Sequence, residues 1–361
     1  MAFWTRRCGN RPGKPRQSSV KWYGEPAGKS RNWPRSPPQR HQLDFGPEMA
    51  KNKNILSPSA IRTAAAALVL CAIGSAPLPA AARSNEAQTI KDDLGFEFRT
   101  GDPPRRIVSL APNITEILFA LGLEDRVAGV TRFCDFPPAA AGKAKVGGLS
   151  DLDLEKIRSL EPDLILAFRG NPLEAVKKIR ELRLPVFVLD EGVKLEHLLG
   201  MITRIGAVTR REAEAAALVR RLDLEMEELR RRLEKAAAKP RVFLLLPGEG
   251  LWTCGAESYV HDLLERAGAA NIAAGIPRPW APFSREALLA EDPEVLIVLA
   301  GSQQDFETSA GRLRADARLR RLQALRHERL VRLDENKASR FGPRLIEACS
   351  DLARALHPEC F

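Results

Sequence analysis

The sequence predicts an α/β protein: two Rossmann-like α/β lobes joined by a single long α-helix, with a ligand cleft between the lobes. Three observations carry that prediction. Residues 209–239 contain no Gly or Pro before Pro240, and Leu218, Leu222, Met226, Leu229, Leu233 and Ala236 recur at steps of three and four, the stripe of an amphipathic helix. On both sides of it short apolar runs alternate with helical segments, as in a parallel sheet covered on both faces. One local pattern also occurs twice, as Asp153-Leu-Glu-Lys-Ile-Arg-Ser-Leu-Glu-Pro-Asp-Leu-Ile-Leu and as Ser284-Arg-Glu-Ala-Leu-Leu-Ala-Glu-Asp-Pro-Glu-Val-Leu-Ile. In each copy a capping residue is followed two places later by Glu, and a proline stands seven places after that Glu.

At 1.5 Å per residue the stretch 209–239 would reach about 45 Å, the span of a whole domain, so it reads as a strut between two bodies. Thr209 is placed to cap its start and Pro240 to end it, with Arg and Glu on the solvated side. The division that follows is an N-terminal α/β lobe at 83–202, a linking helix at 203–239 and a C-terminal α/β lobe at 240–361.

Taken in order, residues 83–104 are polar, hold two prolines and read as an extended lead-in. Strands are expected at 106–110, 127–131, 164–168 and 186–189, each a short apolar run. Helices are expected at 114–121, stopped by Gly122, at 153–160, capped by Asp153, and at 171–182 after Asn171-Pro172. Beyond the strut, strands are expected at 241–246, 295–300 and 329–333, with helices at 257–267, 284–290 and 319–325.

The chain is basic, with 56 Lys+Arg against 46 Asp+Glu, but the excess sits at its start. Residues 1–48 hold 10 basic and 3 acidic side chains and residues 49–82 hold 3 and none, leaving 43 of each sign in 83–361. A neutral body gives no electrostatic footprint for nucleic acid. Residues 49–82 have Lys51, Lys53 and Arg62, an apolar run from 63 to 73, then Pro77, Pro79 and Ala80-Ala81-Ala82, the three parts of a secretory signal. A periplasmic protein is therefore expected, with Met49 as the true start and 1–48 as a misassigned or disordered extension. Leu70 stands where a lipobox before Cys71 would need a small residue, so no lipid anchor is expected. Cys134, Cys254, Cys349 and Cys360 remain after export, and three full pairings are open to them.

No phosphate loop is present: neither GxGxxG after the first strand nor GxxxxGK[ST] occurs, and Gly248 to Gly255 has the wrong spacing. His197, His261, His327 and His357 are scattered, none in HExxH, and Cys134 and Cys254 lack a CxxC partner. No catalytic residue, metal site or cofactor is expected. A hydrolase or chelatase using the same cleft would need a nucleophile and base within reach of each other, and a receptor for a bare metal ion would need converging His or carboxylate ligands.

What the expected strand ends do carry is aromatic and basic side chains. The first lobe offers Phe133 beside Arg132, and Phe168-Arg169; the second offers Trp252, Trp280 and Lys337. Open α/β sheets bind ligands at these ends. Aromatic walls suit a large, flat, partly apolar ligand, and the cations suit carboxylates or amides at its edge. Glu155 and Glu286 occupy equivalent places in the repeated pattern. Two carboxylates set symmetrically on two lobes are what a two-fold symmetric partner with paired arginine pockets would meet.

From Arg105 to about Leu356 the chain resembles the periplasmic substrate-binding proteins of ABC importers for vitamin B12 and iron chelates. The stretches that carry this are RIVSLAPNITEILFALG, FCDFPP, VGGLSDLDLEKIRSLEPDLILAFRG and PWAPFSREALLAEDPEVLIV. The resemblance implies a monomer with two lobes on one rigid helix and a ligand in the cleft: cobalamin or a related corrinoid, with haem or a ferric siderophore as the alternative. It also implies docking onto a dimeric ABC importer permease by one Glu per lobe, which match Glu155 and Glu286. Phe133 stands where vitamin B12 binders have tyrosine, and tryptophans expected near Leu149 and Lys337 are absent. A family cysteine matches Cys349, while its partner position near Ala267 is not cysteine.

Overall fold

The computed structural model describes residues 88–361, which lie in one compact unit, Arg83–Phe361. The expectations for 1–48, for a signal at 49–82 and for Cys71 fall outside the described residues. Among the described residues no helix is long and apolar enough to cross a membrane.

The chain enters through β1 (Thr89–Lys91) and β2 (Glu97–Arg99), an antiparallel hairpin where the sequence suggested an extended lead-in. Asp92 makes the turn: its Oδ1 accepts from the N–H groups of Leu94 and Phe96 at 3.0 and 2.9 Å, and its Oδ2 receives Arg180 at 2.5 Å. A buried carboxylate with that many donors is a local signal that hydropathy alone does not contain.

The first lobe follows as β3 (Ile107–Ser109), α1 (Pro112–Ala120), β4 (Val127–Val130), β5 (Ala144–Lys145), α2 (Leu154–Ser159), β6 (Leu164–Phe168), α3 (Leu173–Glu181) and β7 (Val186–Leu189). Its five strands are parallel in the order β5-β4-β3-β6-β7. The order reverses between β3 and β6, which opens a crevice at their carboxyl ends.

Two helices leave the lobe, α4 (Leu195–Thr209) and α5 (Glu212–Leu233). The expected single helix over 203–239 is therefore broken, because Arg210 adopts a left-handed conformation at φ 58°. Thr209 does not cap the second helix; its buried hydroxyl donates to the Ile205 carbonyl at 2.6 Å inside α4. With 22 residues α5 is about 33 Å long, and Ala236 lies beyond its end. The predicted stripe holds: Leu218, Leu222 and Leu229 are buried, and Met226 and Leu233 pack against the same core. The outer face carries ion pairs one turn apart, such as Arg221–Glu225 at 3.1 Å and Arg230–Glu227 at 2.6 Å.

The second lobe comprises β8 (Arg241–Leu245), β9 (Trp252–Cys254), α6 (Tyr259–Arg266), β10 (Ala270–Asn271), β11 (Trp280–Pro282), α7 (Arg285–Glu291), β12 (Val295–Ala300), α8 (Gln303–Ala315), α9 (Gln323–Arg326), β13 (Leu330–Asp334), α10 (Glu335–Ala338) and α11 (Arg344–Leu356). Its parallel sheet runs β10-β8-β12-β13, and β9 with β11 forms a separate antiparallel ribbon. The sequence repeat is a structural repeat. Both α2 and α7 begin after a side-chain cap, Asp153 accepting from Lys156 N at 2.8 Å and Ser284 from Ala287 N at 3.0 Å. Each ends shortly before a left-handed residue and a proline, Glu161 (φ 44°) before Pro162 and Asp292 (φ 37°) before Pro293.

One apolar cluster joins both lobes, running from Ile107 and Leu166 through Leu218 and Leu222 of α5 to Val242, Ile297, Leu345 and Leu352. The strut is embedded in a shared core. All four described cysteines are free, and Ala267, near which the resemblance would put a partner for Cys349, is fully buried. Burial pushes the thiols of Cys254 and Cys349 up to about 12, which keeps them protonated.

Candidate functional site

Contacts between the lobes show how their sheets meet. Glu116 on α1, which follows β3, is bound by Arg344 at the start of α11 through Nε–Oε2 at 3.0 Å and Nη2–Oε1 at 2.5 Å. Arg340, in the loop after α10, reaches Asp135, in the loop after β4, at 2.6 Å. The carboxyl ends of the two sheets therefore face each other. On a second line of contact, α4 and α6 are joined by Asp262, which accepts from the Leu195 N–H at 2.8 Å.

The expected ligand residues lie at these ends. Phe133, half-buried, follows β4 and has the Arg132 guanidinium 5.4 Å from its ring centre. Phe168 closes β6 beside the switch point; its ring rests so close to Gly170 that a Cβ there would come within 2.0 Å. The backbone at this point is held by Asn171, whose Oδ1 accepts from Phe168 N at 2.9 Å and whose Nδ2 donates to the Leu110 and Leu149 carbonyls, each at 3.1 Å. Arg169 is turned to Asp190 at 2.7 Å. In the second lobe Trp252 and Trp280 sit on one face of the β9–β11 ribbon, since Trp280 pairs with Cys254 and Trp252 with Pro282. Trp280 packs on the common core, while Trp252 is 45 % exposed, a large apolar surface left to solvent.

Lys337 is held to its own lobe, with Nζ 2.8 Å from Asp351 and 3.4 Å from Glu347. The hydrogen bond to Asp351 keeps its ammonium above the usual lysine range against the opposing effect of burial.

Glu155 and Glu286 are each the second residue of their helix and exposed. Among the described residues neither forms an ion pair. Arg285, next to Glu286 in the chain, is paired instead with Asp316 at 2.8 Å.

Sequence reasoning missed the groups that link the lobes: Glu116, Asp135, Asp262, Arg340 and Arg344. A signal existed for the first, because a Glu inside the apolar segment ITEILFA demands a buried partner. Partial burial works against ionisation of Asp135, but the hydrogen bond and charge of Arg340 outweigh it and hold this carboxyl below the usual range. A cavity of about 520 Å³ lies elsewhere, at the amino ends of β6 and β7, lined by Phe98, Arg99, Asp163, Arg183 and Val186, and includes none of the expected ligand residues. Among the described residues no group of three His, Cys, Asp or Glu side chains is placed to hold a metal ion.

Two facing α/β lobes with aromatic and basic side chains at opposed strand ends have the architecture of a two-lobed binding protein. Residues 107–337 match the family described as periplasmic binding protein, and the chain belongs to that family. It is 29 % identical over 255 residues to the vitamin B12-binding protein of Pectobacterium carotovorum subsp. carotovorum (strain PC1), covering 70 % of this chain and 88 % of that one. An uncharacterized ABC transporter substrate-binding lipoprotein, YvrC of Bacillus subtilis (strain 168), is 27 % identical over 280 residues, covering 76 % and 86 %. Among solved structures, the periplasmic heme-binding protein RhuT from Roseiflexus sp. RS-1 in apo form superposes with a TM-score of 0.65 at 26 % identity, over 71 % of this chain and 99 % of that one. The chain is a substrate-binding protein of ABC importers of the vitamin B12, haem and siderophore class, and not an enzyme.

Proposed function

We propose that the chain captures cobalamin or a related corrinoid between its lobes, outside the cytoplasm, and delivers it to an ABC importer permease. The observation that carries this reading is the chemistry of the strand ends: Phe133, Phe168, Trp252 and Trp280 supply aromatic surface, and among the described residues no accessible ligand for haem iron stands beside them. Haem is held by a protein His, Cys, Met or Tyr. Tyr259 is buried against Phe341, with ring centres 5.1 Å apart. Cys134 and Cys254 are buried, His261 is bonded to Asn271, His327 lies before β13, and His357 is buried on the Gly268 carbonyl. The His197 Nδ1 accepts the Val193 N–H, so in the neutral ring Nε2 carries the proton and offers no lone pair. A cobalamin brings its own axial ligands and asks the protein only for apolar faces and polar contacts at its amide fringe.

Glu155 and Glu286 are the groups offered to the permease, and the vitamin B12-binding relative supports the ligand class. Isothermal titration of the full chain with cyanocobalamin is expected to give a dissociation constant of ~1 µM or tighter, about −8 kcal/mol. A sharpened Soret band with hemin and no heat with cyanocobalamin would replace the corrinoid by haem. Silence with both would overturn the reading.

A further inference from the structure

We infer that Arg340 and Arg344 are positioning residues for the ligand site: from the second lobe they hold the aromatic loop 132–137 of the first lobe in its binding shape. The inference rests on the proposed function, since it assigns a role within the same cleft. Its starting point is Glu116, 4 % exposed on a helix otherwise packed on the apolar core. A buried carboxylate costs several kcal/mol unless it is fully paired, and even a paired one is weak evidence for stability, so the geometry it fixes is the effect to test.

The geometry is specific. Arg344 grips both oxygens of Glu116 and also donates to the Asn336 carbonyl at 3.0 Å, which ties it to α10, the short helix that carries Lys337. The Nη1 of Arg340 bridges two carboxylates, Glu116 at 3.3 Å and Asp135 at 2.6 Å. Asp135 belongs to the loop of Phe133, and so does Phe136, whose ring centre lies 3.7 Å from the Arg344 guanidinium. Within its own lobe the loop is anchored at its start by Arg132 on Asp151 and by Cys134, which is buried and bonded to Thr131 and Thr115 at 3.1 and 3.2 Å, and at its end by the Pro137 carbonyl, which accepts from Ala140 N at 2.8 Å. Beyond Cys134 its side chains are held from the other lobe. Ligand affinity then depends on the fraction of molecules in which this clasp is closed.

The test uses the full chain with Arg340→Ala, Arg340→Lys and the double variant Glu116→Leu/Arg344→Leu, which leaves no buried charge without a partner. Each is followed by titration with cyanocobalamin, by amide hydrogen exchange of residues 132–137 without ligand, and by thermal melting. If opening the clasp lowers the competent fraction to about a tenth, Arg340→Ala weakens binding ~10-fold and loop exchange rises by a similar factor. Arg340→Lys restores part of both, because an ammonium can pair with one carboxylate but is a poor bridge between two. The double variant keeps a cooperative melt and still shows the loosened loop. Parental loop exchange in Arg340→Ala and in the double variant would overturn the inference, as would raised exchange with unchanged affinity. Should the parent chain bind no cyanocobalamin, the ligand reading falls by itself, and the exchange measurement still decides whether the arginines order the loop.

Discussion

Glu191 follows β7, where its Oε1 accepts from Asn113 Nδ2 at 3.3 Å at the start of α1, while Asp190 beside it is paired with Arg169. Burial, with the charge of Asp190 adding to it, pushes the Glu191 carboxyl up to about 8 from an ordinary 4.5. The sign follows from linkage: between these two values the folded chain holds a proton that the unfolded chain has lost. Stability contributed by this group therefore declines as pH rises from about 4.5 through 8, with a slope of at most about 1.4 kcal/mol per pH unit. In urea denaturation at several pH values, Glu191→Gln is expected to remove that decline and to be more stable than the parent above pH 8. Parallel pH curves for the two proteins would exclude the assignment. Nothing in the sequence around Glu191 marks it, because the property arises from what the fold brings around it.

At the scale of elements the two helices between the lobes are the informative case. The apolar stripe identified a helix correctly over 212–233, since the spacing of Leu218, Leu222 and Leu229 records a buried face directly. It could not locate the break at Arg210, because a left-handed arginine has no sequence signature comparable to glycine. The corner is set by packing: a Cβ on Gly206 of α4 would fall 2.4 Å from Ala215 Cβ of α5, so the helices meet at a contact only glycine allows. The start of α4 was equally hidden, for Lys194 provides no cap and Asp262, from the other lobe, accepts the Leu195 N–H instead while also receiving Arg266 Nε at 2.8 Å. Asp262→Ala is expected to lose about 2–3 kcal/mol in urea denaturation, and Asp262→Asn, which keeps an acceptor, about half of that. Equal stability of the alanine variant and the parent would mean that the cross-lobe cap contributes nothing.

For the whole molecule the repeat decides more than any single residue. Because α2 and α7 share cap, length class and the strained turn before proline, Glu155 and Glu286 emerge at matching points of the two lobes, exposed and without ion partners among the described residues. Replacing both by Arg is expected to leave cyanocobalamin affinity as in the parent while abolishing uptake in reconstituted transport. Each lost charge pair with the permease costs about 2 kcal/mol or more, some thirtyfold in docking. A loss of ligand binding in this variant would move the glutamates into the cleft.

The sequence by itself determined the main strand runs, the stripe of α5 and two capped helices, and hence the α/β class and the two lobes, but not the helices α8 and α11 or the β9–β11 ribbon. These follow from periodicity and capping, which are properties of near neighbours along the chain. The tertiary structure alone decided the break between α4 and α5, the hairpin held by Asp92, and the clasp joining Glu116 and Asp135 to Arg340 and Arg344. Those partners stand more than 200 residues apart, and pairing at such separation depends on how the sheets and helices pack in space.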